Sequence, residues 1–472
     1  MENEFIYSGS WNILEHGDTS YHGKLHYSRE ERALYLELEI PEDWNTDGPD
    51  GVMPQFKKNR YKQIQGVLFN GAHILLYDCA LGSRNTYLFQ FTRVVIYAKY
   101  AFWGLQEETP LLFKEAQFDF GEIIEWSGLC HFKDTFDSEK PGYLWEHEPP
   151  VSFELNANVK VTLSPVMGGW SSESVYRTKS EISQHIVVEL SYIEDVPWET
   201  AIDDAQAVRY LVGLGVNRLP RIESIKHIHR QMESVIPGKN GTVSGNDDDV
   251  FYPAHEVFVG TGKDSLSQDY RQNERLRYWF TLPQMQEAAG LERWSSNYPK
   301  LKPVLDLYFS TETLSTDAAF LSMMQALETF HARFYADKLS DYRNKIAQYE
   351  GYGVWWPLLF SDDQKDHKGI ILKSRISSLM FADGAVPFLP GMYSHEDYIQ
   401  KLVDTRNYFT HYDVSKESLI FSDEELPFVN AELECLLKYH LFVLLGFDRK
   451  NVRDKVVKRM NEIEQNYQMW VR

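Results

Sequence analysis

The hydrophobic period of this chain changes near Pro197, and that change limits the folds open to it more than any other feature. Upstream, apolar residues recur at every second position. Leu34, Leu36, Leu38 and Ile40 alternate with Tyr35, Glu37 and Glu39, so one set faces a core and the other faces water. Runs at 73–81, 86–100, 151–163 and 184–192 share this character. They are rich in Val, Ile, Phe and Tyr and are separated by turn-forming clusters such as Asn45-Thr-Asp-Gly-Pro-Asp-Gly51. No long helical pattern lies between them, which predicts an antiparallel sandwich or barrel-like domain.

Downstream the spacing becomes helical. Residues 198–214 read as a helix that stops around Gly213 and Gly215, where glycine suits a helix end. Short strands are expected at 221–228 and 250–259. Between them, 237–249 has almost no apolar content and is expected to be a mobile surface loop. From about Ser296 the pattern is helical throughout. Asp317 can cap a helix to about Lys338, with Phe320, Met324, Leu327, His331 and Phe334 along one face. Shorter helices are expected at 341–349 and 368–381, with breaks at Asp383-Gly384, Pro387 and Pro390. Ser394 can cap 396–412, and Ser422 or Asp423 a helix through Leu445 that ends at Gly446 and is followed by a basic helical tail. Such helices pack as an up-down bundle. The fold class is therefore α+β: a β-rich domain over 1–217, a mixed connecting region over 218–300 and an all-α bundle over 301–472.

Composition narrows the function. With 43% hydrophobic and 25% charged residues, the chain is neither disordered nor a disulfide-dense scaffold. Lys+Arg 48 against Asp+Glu 69 gives a net charge of −21, so the overall field repels polyanions and nucleic acid must be held at a local site. Cys79, Cys130 and Cys435 lie far apart without CxxC spacing, which indicates neither a disulfide framework nor a cysteine zinc site and fits a reducing cytoplasm. The start of the chain has no secretory pattern. The dense apolar stretch Leu441-Phe-Val-Leu-Leu445 is too short to span a bilayer. A soluble, cytoplasmic protein is expected. His227 and His229 lack a third ligand at diagnostic spacing and read as ordinary surface histidines; Asp247-Asp-Asp249 lacks the calcium-loop pattern. Residues 97–103 are aromatic-rich and read as packed core. No phosphate-binding, nucleophile-elbow or dinucleotide fingerprint is present.

The strongest local anomaly lies in 398–412. At about 100° per residue, Tyr398, Ile399, Leu402, Val403 and Phe409 share an arc of roughly 140°, and Arg406 falls near its middle. A charge on that face needs a partner, because desolvating it alone costs several kcal/mol. It is either a buried structural ion pair or part of a site. Asn407 and His411 are four apart and share a face, so the amide could fix the imidazole tautomer. Arg406 and His411, five apart, diverge by about 140° on an ideal helix. They converge on one phosphate only if the helix distorts or a second chain completes the site, which points to a dimer.

Arg406-Asn-Tyr-Phe-Thr-His411 resembles the R-N-x-x-x-H form of the R-x4–6-H motif of HEPN domains, helical-bundle ribonucleases of defence and toxin systems. Residues 320–330 resemble the early helix of that domain, with Glu328 at its acidic position. Gly9-Ser-Trp11 and Gly23-Lys-Leu-His-Tyr27 lie in a half that resembles the N-terminal domain of ApeA-type abortive-infection proteins. The resemblance covers nearly the whole chain.

It implies a metal-independent endoribonuclease without cofactor, in which a ribose 2′-OH attacks the neighbouring phosphate and leaves a 2′,3′-cyclic end. His411 would move the proton. Arg406 would stabilise the phosphorane charge. Asn407 would orient His411 or bind a phosphate oxygen, and Glu328 would hold Arg406. RNA would be held locally by Lys401 and Lys416 and by Arg449, Lys450 and Arg453 of the basic tail; that tail reads equally as a solvated helix face. The resemblance further implies a homodimer or higher oligomer, a phage component sensed by the first half, and host RNA as substrate, tRNA among the candidates. The rival is a non-catalytic binding protein: a lectin-like or protein-recognition β domain on a helical dimerisation bundle with a structural Arg406–Glu328 pair. A glycoside hydrolase lacks an identifiable acid pair.

Overall fold

The computed structural model describes residues 4–16, 19–28, 30–31, 33–41, 56, 58–87, 91–105, 111–120, 123–137, 140–174, 177–228, 234–235, 250–251, 254–260, 278–335, 365–366, 369–370, 372–380, 395–412 and 414–471. The chain divides into two compact units, 1–209 with 220–277 and 210–219 with 278–472.

The first unit carries β1 (Glu4–Ile13), β2 (Ser20–Ser28), β3 (Ala33–Pro41), β4 (Arg60–Leu68), β5 (His73–Tyr87), β6 (Phe91–Trp103) and β7 (Leu112–Phe120). After a short helix α1 (Ile124–Ser127) come β8 (Cys130–Asp137), β9 (Lys140–His147), β10 (Val151–Glu154), β11 (Val159–Ser174), β12 (Arg177–Pro197), helix α2 (Trp198–Val216), β13 (Ile222–Ile228) and β14 (Ala254–Val259). Strands β1-β2-β3-β6-β5-β4 pair antiparallel and close on themselves, because β4 returns to β1. Closure removes exposed edges. The long β6 serves two sheets: its first half pairs with β3, and Tyr100–Phe102 pair with β14. From there an antiparallel sheet continues through β13, β7, β12, β11 and β10. The expected antiparallel β half is thus a barrel extended by an open sheet.

Its alternation is the expected one. Leu34, Leu36, Leu38 and Ile40 are buried, with Trp11, Ile13, Leu25, Ile64, Leu76 and Ile96 around them. Trp11 is buried flat against Gly66, where an added Cβ would come within 2.2 Å of the indole. Glycine at 66 is what lets a side chain of that size enter.

Three sequence expectations need correction. The run 151–163 is a hairpin, because Asn156 Oδ1 accepts the N–H groups of Asn158 (2.8 Å) and Val159 (3.1 Å) and turns the chain. The run 86–100 also divides: Tyr87 ends β5 and pairs with Phe91, the first residue of β6. The residues between, Leu88-Phe-Gln90, include no turn-forming type. His227 is a core residue, 1% exposed, packed between the rings of Phe102 (5.5 Å) and Phe113 (5.0 Å). His229 and the 237–249 segment lie outside the described residues.

The second unit is helical: α3 (Leu282–Glu287), α4 (Gly290–Ser310), α5 (Thr316–Phe334), α6 (Leu372–Met380), α7 (His395–His411), α8 (Leu426–Leu444) and α9 (Arg449–Val471). Ser315 precedes α5 and donates to the Asp317 carboxylate at 2.5 Å, so Asp317 sits inside the first turn. Helix α8 ends where Gly446 adopts φ 94, a left-handed value that glycine adopts freely. The expected helix at 341–349, the breaks at 383–390 and the Ser394 cap lie outside the described residues.

A buried charge cluster ties this unit together. Lys438 of α8, wholly buried, donates to Glu434 and to Asn217 Oδ1. Its ammonium lies 4.9 Å from the Trp279 ring centre and 5.7 Å from that of Tyr308. Tyr308 donates to Glu434 (2.9 Å) and Trp279 Nε1 to Asn217 (2.9 Å). Burial pushes the Glu434 carboxyl up, but the Lys438 charge and the hydrogen bonds outweigh it and the net shift is downward. Among the described residues, no helix is long and apolar enough to cross a membrane.

Candidate functional site

Helix α7 carries the motif. Its early turns are anchored by buried Tyr398, Ile399 and Leu402. Tyr398 donates to Glu432 of α8 at 2.7 Å, and burial raises that carboxyl to about 7. Thr405 is buried as well; its hydroxyl donates to the Lys401 carbonyl (2.7 Å) and accepts the Phe421 N–H (3.1 Å). Arg406 has nearly the angular position of Ile399 but lies two turns further on, where the cover thins. It is half-buried, as are Val403 and Phe409, and Thr410, His411 and Tyr412 are exposed. The core face is therefore narrower than the sequence arc.

The guanidinium and the amide meet directly: Arg406 Nη1 donates to Asn407 Oδ1 at 3.2 Å. Asn407 thus orients Arg406, where the spacing suggested it would orient His411. The His411 ring stands at the exposed helix end and has no hydrogen-bond partner among the described residues.

Glu328 lies on α5, and its carboxylate pairs with Arg375 of α6 (Nε–Oε1 3.9 Å). One turn along, His331 is fully buried with neither ring nitrogen hydrogen-bonded, and burial, aided by the Arg375 and His440 charges, lowers it to about 4. His440 of α8 lies 2.9 Å from the Leu379 carbonyl and 3.2 Å from the Tyr335 hydroxyl, and burial lowers it also to about 4. Helix α6 is strapped to α7 by Lys373, which donates to Gln400 (3.1 Å), whose amide donates to Asp404 (2.9 Å). Sequence reasoning did not find Arg375. It is one cation on a short helix, and its link to Glu328 spans a separation that no local spacing reports.

Of the expected RNA contacts, Lys401 is half-buried, bonded to both Glu425 oxygens at 3.1 Å, and 4.6 Å from the Phe421 ring centre. Lys416 lies in the turn Val414–Leu419, with its side chain outside the described residues. Arg449 and Lys450 are exposed on the first turn of α9, and Arg453 is half-buried there. The structure therefore makes three groupings: Arg406, Asn407 and His411 on the last turns of α7; Glu328 with Arg375; and the three cations of α9.

Arg406 offers a fixed fork that an anion can occupy, and His411, five residues on, an exposed imidazole. Among the described residues, no group of three or more His, Cys, Asp or Glu side chains could hold a metal ion. Residues 6–256 match the family model of the ApeA N-terminal domain 1, and residues 321–451 match that of the Apea-like HEPN domain. No curated protein and no solved structure gave a match.

Proposed function

The chain belongs to the ApeA family, with an Apea-like HEPN domain in its C-terminal half, and from that premise we propose that it is a metal-independent endoribonuclease of antiphage abortive infection. The ribose 2′-OH of the substrate attacks the adjacent phosphorus, a 2′-O–P bond forms, and the P–O5′ bond breaks. The products are a 2′,3′-cyclic phosphate and a 5′-OH. His411 takes the 2′-proton or gives one to the leaving oxygen. Arg406, aimed by Asn407, meets the charge that gathers on the phosphorane oxygens. Glu328 contributes through Arg375, by fixing α6 against α5. A second copy supplies the other proton-transfer group, since one chain presents one motif imidazole. Arg449, Lys450 and Arg453 meet flanking phosphates, as does Lys416; Lys401 does so only on leaving Glu425. The β-rich half senses a phage component, and the cut RNA is the host's, tRNA among the candidates, in the cytoplasm.

The observation that carries this reading is the contrast on α7, where a half-buried, hydrogen-bonded Arg406 stands five residues from an exposed His411 inside the matched HEPN region. Both the nuclease reading and its binding-protein rival expected Glu328 to hold Arg406, and the Glu328 carboxylate is instead at Arg375, so that pair does not separate them; RNA cleavage does.

Sequencing RNA ends from cells expressing the wild type and His411→Ala tests the proposal. Cyclic-phosphate ends should appear with the wild type alone. Removing one charge-stabilising donor typically costs about 100- to 1,000-fold in rate, and Arg406→Ala should lose at least that. Variants that cut RNA as fast as the parent would remove the site.

A further inference from the structure

Tyr412 follows His411 and does what a bulky residue rarely does. It takes φ 50, in the left-handed region, and leaves its side chain 66% exposed. Ending the helix does not call for tyrosine here. Glycine or asparagine closes a helix through a left-handed residue at less cost. Strain of this kind at the edge of a site is a pointer to use.

The ring also has a built support. Tyr412 packs edge-on against Tyr408 (6.0 Å between ring centres), Tyr408 against Phe409 (5.5 Å), and Phe409 against Phe320 of α5 (6.3 Å). Phe320 is fully buried. A ladder of four aromatic rings thus runs from the core to solvent and ends at the residue that follows His411.

Charge arithmetic says what such a ladder is for. With a net charge of −21, the chain cannot draw RNA in through its overall field, and phosphate contacts are limited to a few local cations. A term that needs no charge would add to what those few cations supply. Base stacking on an aromatic face is such a term, and it requires a base free of its own duplex.

Resting on the nuclease reading, we infer that Tyr412, braced by Tyr408, stacks an unpaired base next to the phosphate at His411. A second copy packing on this aromatic face is the competing occupant. The position favours the base: a ribose that reaches His411 carries its base within the span of one neighbouring side chain.

The test measures binding without cleavage. His411→Ala is made in the full chain, and Tyr412→Ala, Tyr412→Phe and Tyr412→Gly are added to it. Each protein is titrated against a short labelled single-stranded oligoribonucleotide and against the same sequence as a duplex. Alanine and glycine should weaken single-strand binding roughly 5- to 140-fold, which is about 1–3 kcal/mol per base at 1.4 kcal/mol per factor of ten. Phenylalanine should bind like the parent, and the duplex should not distinguish the variants. Tyr412→Gly should also raise Tm as the strained φ is relieved, separating recognition from folding. Equal single-strand affinity for Tyr412→Ala and its parent overturns the inference while leaving the nuclease reading intact. So does a Tyr412→Ala chain that falls apart in sizing and regains its affinity at concentrations that restore the oligomer. A parent that binds no single strand, together with a wild type that cuts none, brings down both.

Discussion

The two units bury different chemistry. In the β unit the described core is aliphatic and aromatic, and its buried polar side chains are Thr92, Ser127 and His227. The helical unit buries His331, Glu432, Lys438 and His440, with Ser322, Ser374, Ser377, Ser378 and Thr405. The contrast follows from how each backbone is satisfied. In a closed barrel the strand ladder sets the register, and side chains need only fill space. Helices satisfy their own backbones, so something else must select how one lies on the next. Here side-chain bonds do so: Tyr398–Glu432 between α7 and α8, Glu328–Arg375 between α5 and α6, Lys373–Gln400 between α6 and α7.

If that is right, an apolar replacement of matching volume should be costly in one unit and cheap in the other. The largest effect is expected at Lys438. Lys438→Met keeps the bulk but strands the Glu434 charge beside Tyr308. Removing one partner of a fully buried pair costs about 3–5 kcal/mol, and the loss here should fall below that because the Glu434 side chain is 31% exposed. Adding Glu434→Leu should recover most of the loss, since an apolar pair of similar volume is often neutral. Chemical denaturation of the single and double variants measures both. Additive losses would mean that packing, not charge, holds this cluster.

Acidity gives the next largest effect, and the sign differs by group. His331 and His440, held at about 4, refuse protons that the unfolded chain accepts below about 6.5. Stability is therefore lost as pH falls from 6.5 toward 4, by up to about 3 kcal/mol for each. Glu432, raised to about 7, keeps a proton that the unfolded chain gives up above about 4.5, so it costs stability as pH rises from 4.5 to 7. Within the helical unit two histidines oppose one carboxyl between 4.5 and 6.5 and stability rises with pH, a rise that Asp204 of the β unit, raised by burial to about 6, partly offsets for the whole chain. Above 6.5 the Glu432 carboxyl acts and stability declines. A maximum near pH 6.5 should appear in denaturation midpoints. Glu432→Gln, which still accepts from Tyr398, should remove the decline and gain about 2–3 kcal/mol at pH 8. A flat profile in both proteins would contradict the assignment.

The same difference decides what the sequence could disclose. Alternation in 34–40 sufficed to place a barrel strand, because a strand's two faces are separated by period alone. Turns were legible only where residue type signals them. The 155–158 reversal depends on one asparagine side chain, and Tyr87 and Phe91 pair across three residues that carry no signal at all. In the bundle, helix positions were legible and partners were not. Arg406 read as a core charge awaiting Glu328, but Thr405 holds the buried position and Asn407 meets the guanidinium. Partner choice across helices is a tertiary fact, and one chain's spacing does not encode it.

The smallest effects make the sharpest comparison, because two nearly equal atom changes are set against each other. Thr405→Val swaps a hydroxyl for a methyl inside α7 and removes the hydroxyl that accepts the Phe421 N–H. Taking one partner from a buried hydrogen bond costs about 1–3 kcal/mol. Ile64→Val removes one methylene from the barrel core, where Ile64 is buried and pairs with Ile13 and Leu76. That change typically costs about 0.5–1.5 kcal/mol. Thr405→Val should therefore be the more damaging, though it leaves volume unchanged, and it should lower RNA cleavage further because Thr405 precedes Arg406. If Ile64→Val proves the worse of the two in denaturation midpoints, space-filling governs both units alike, and polar bonds do not set the helical register.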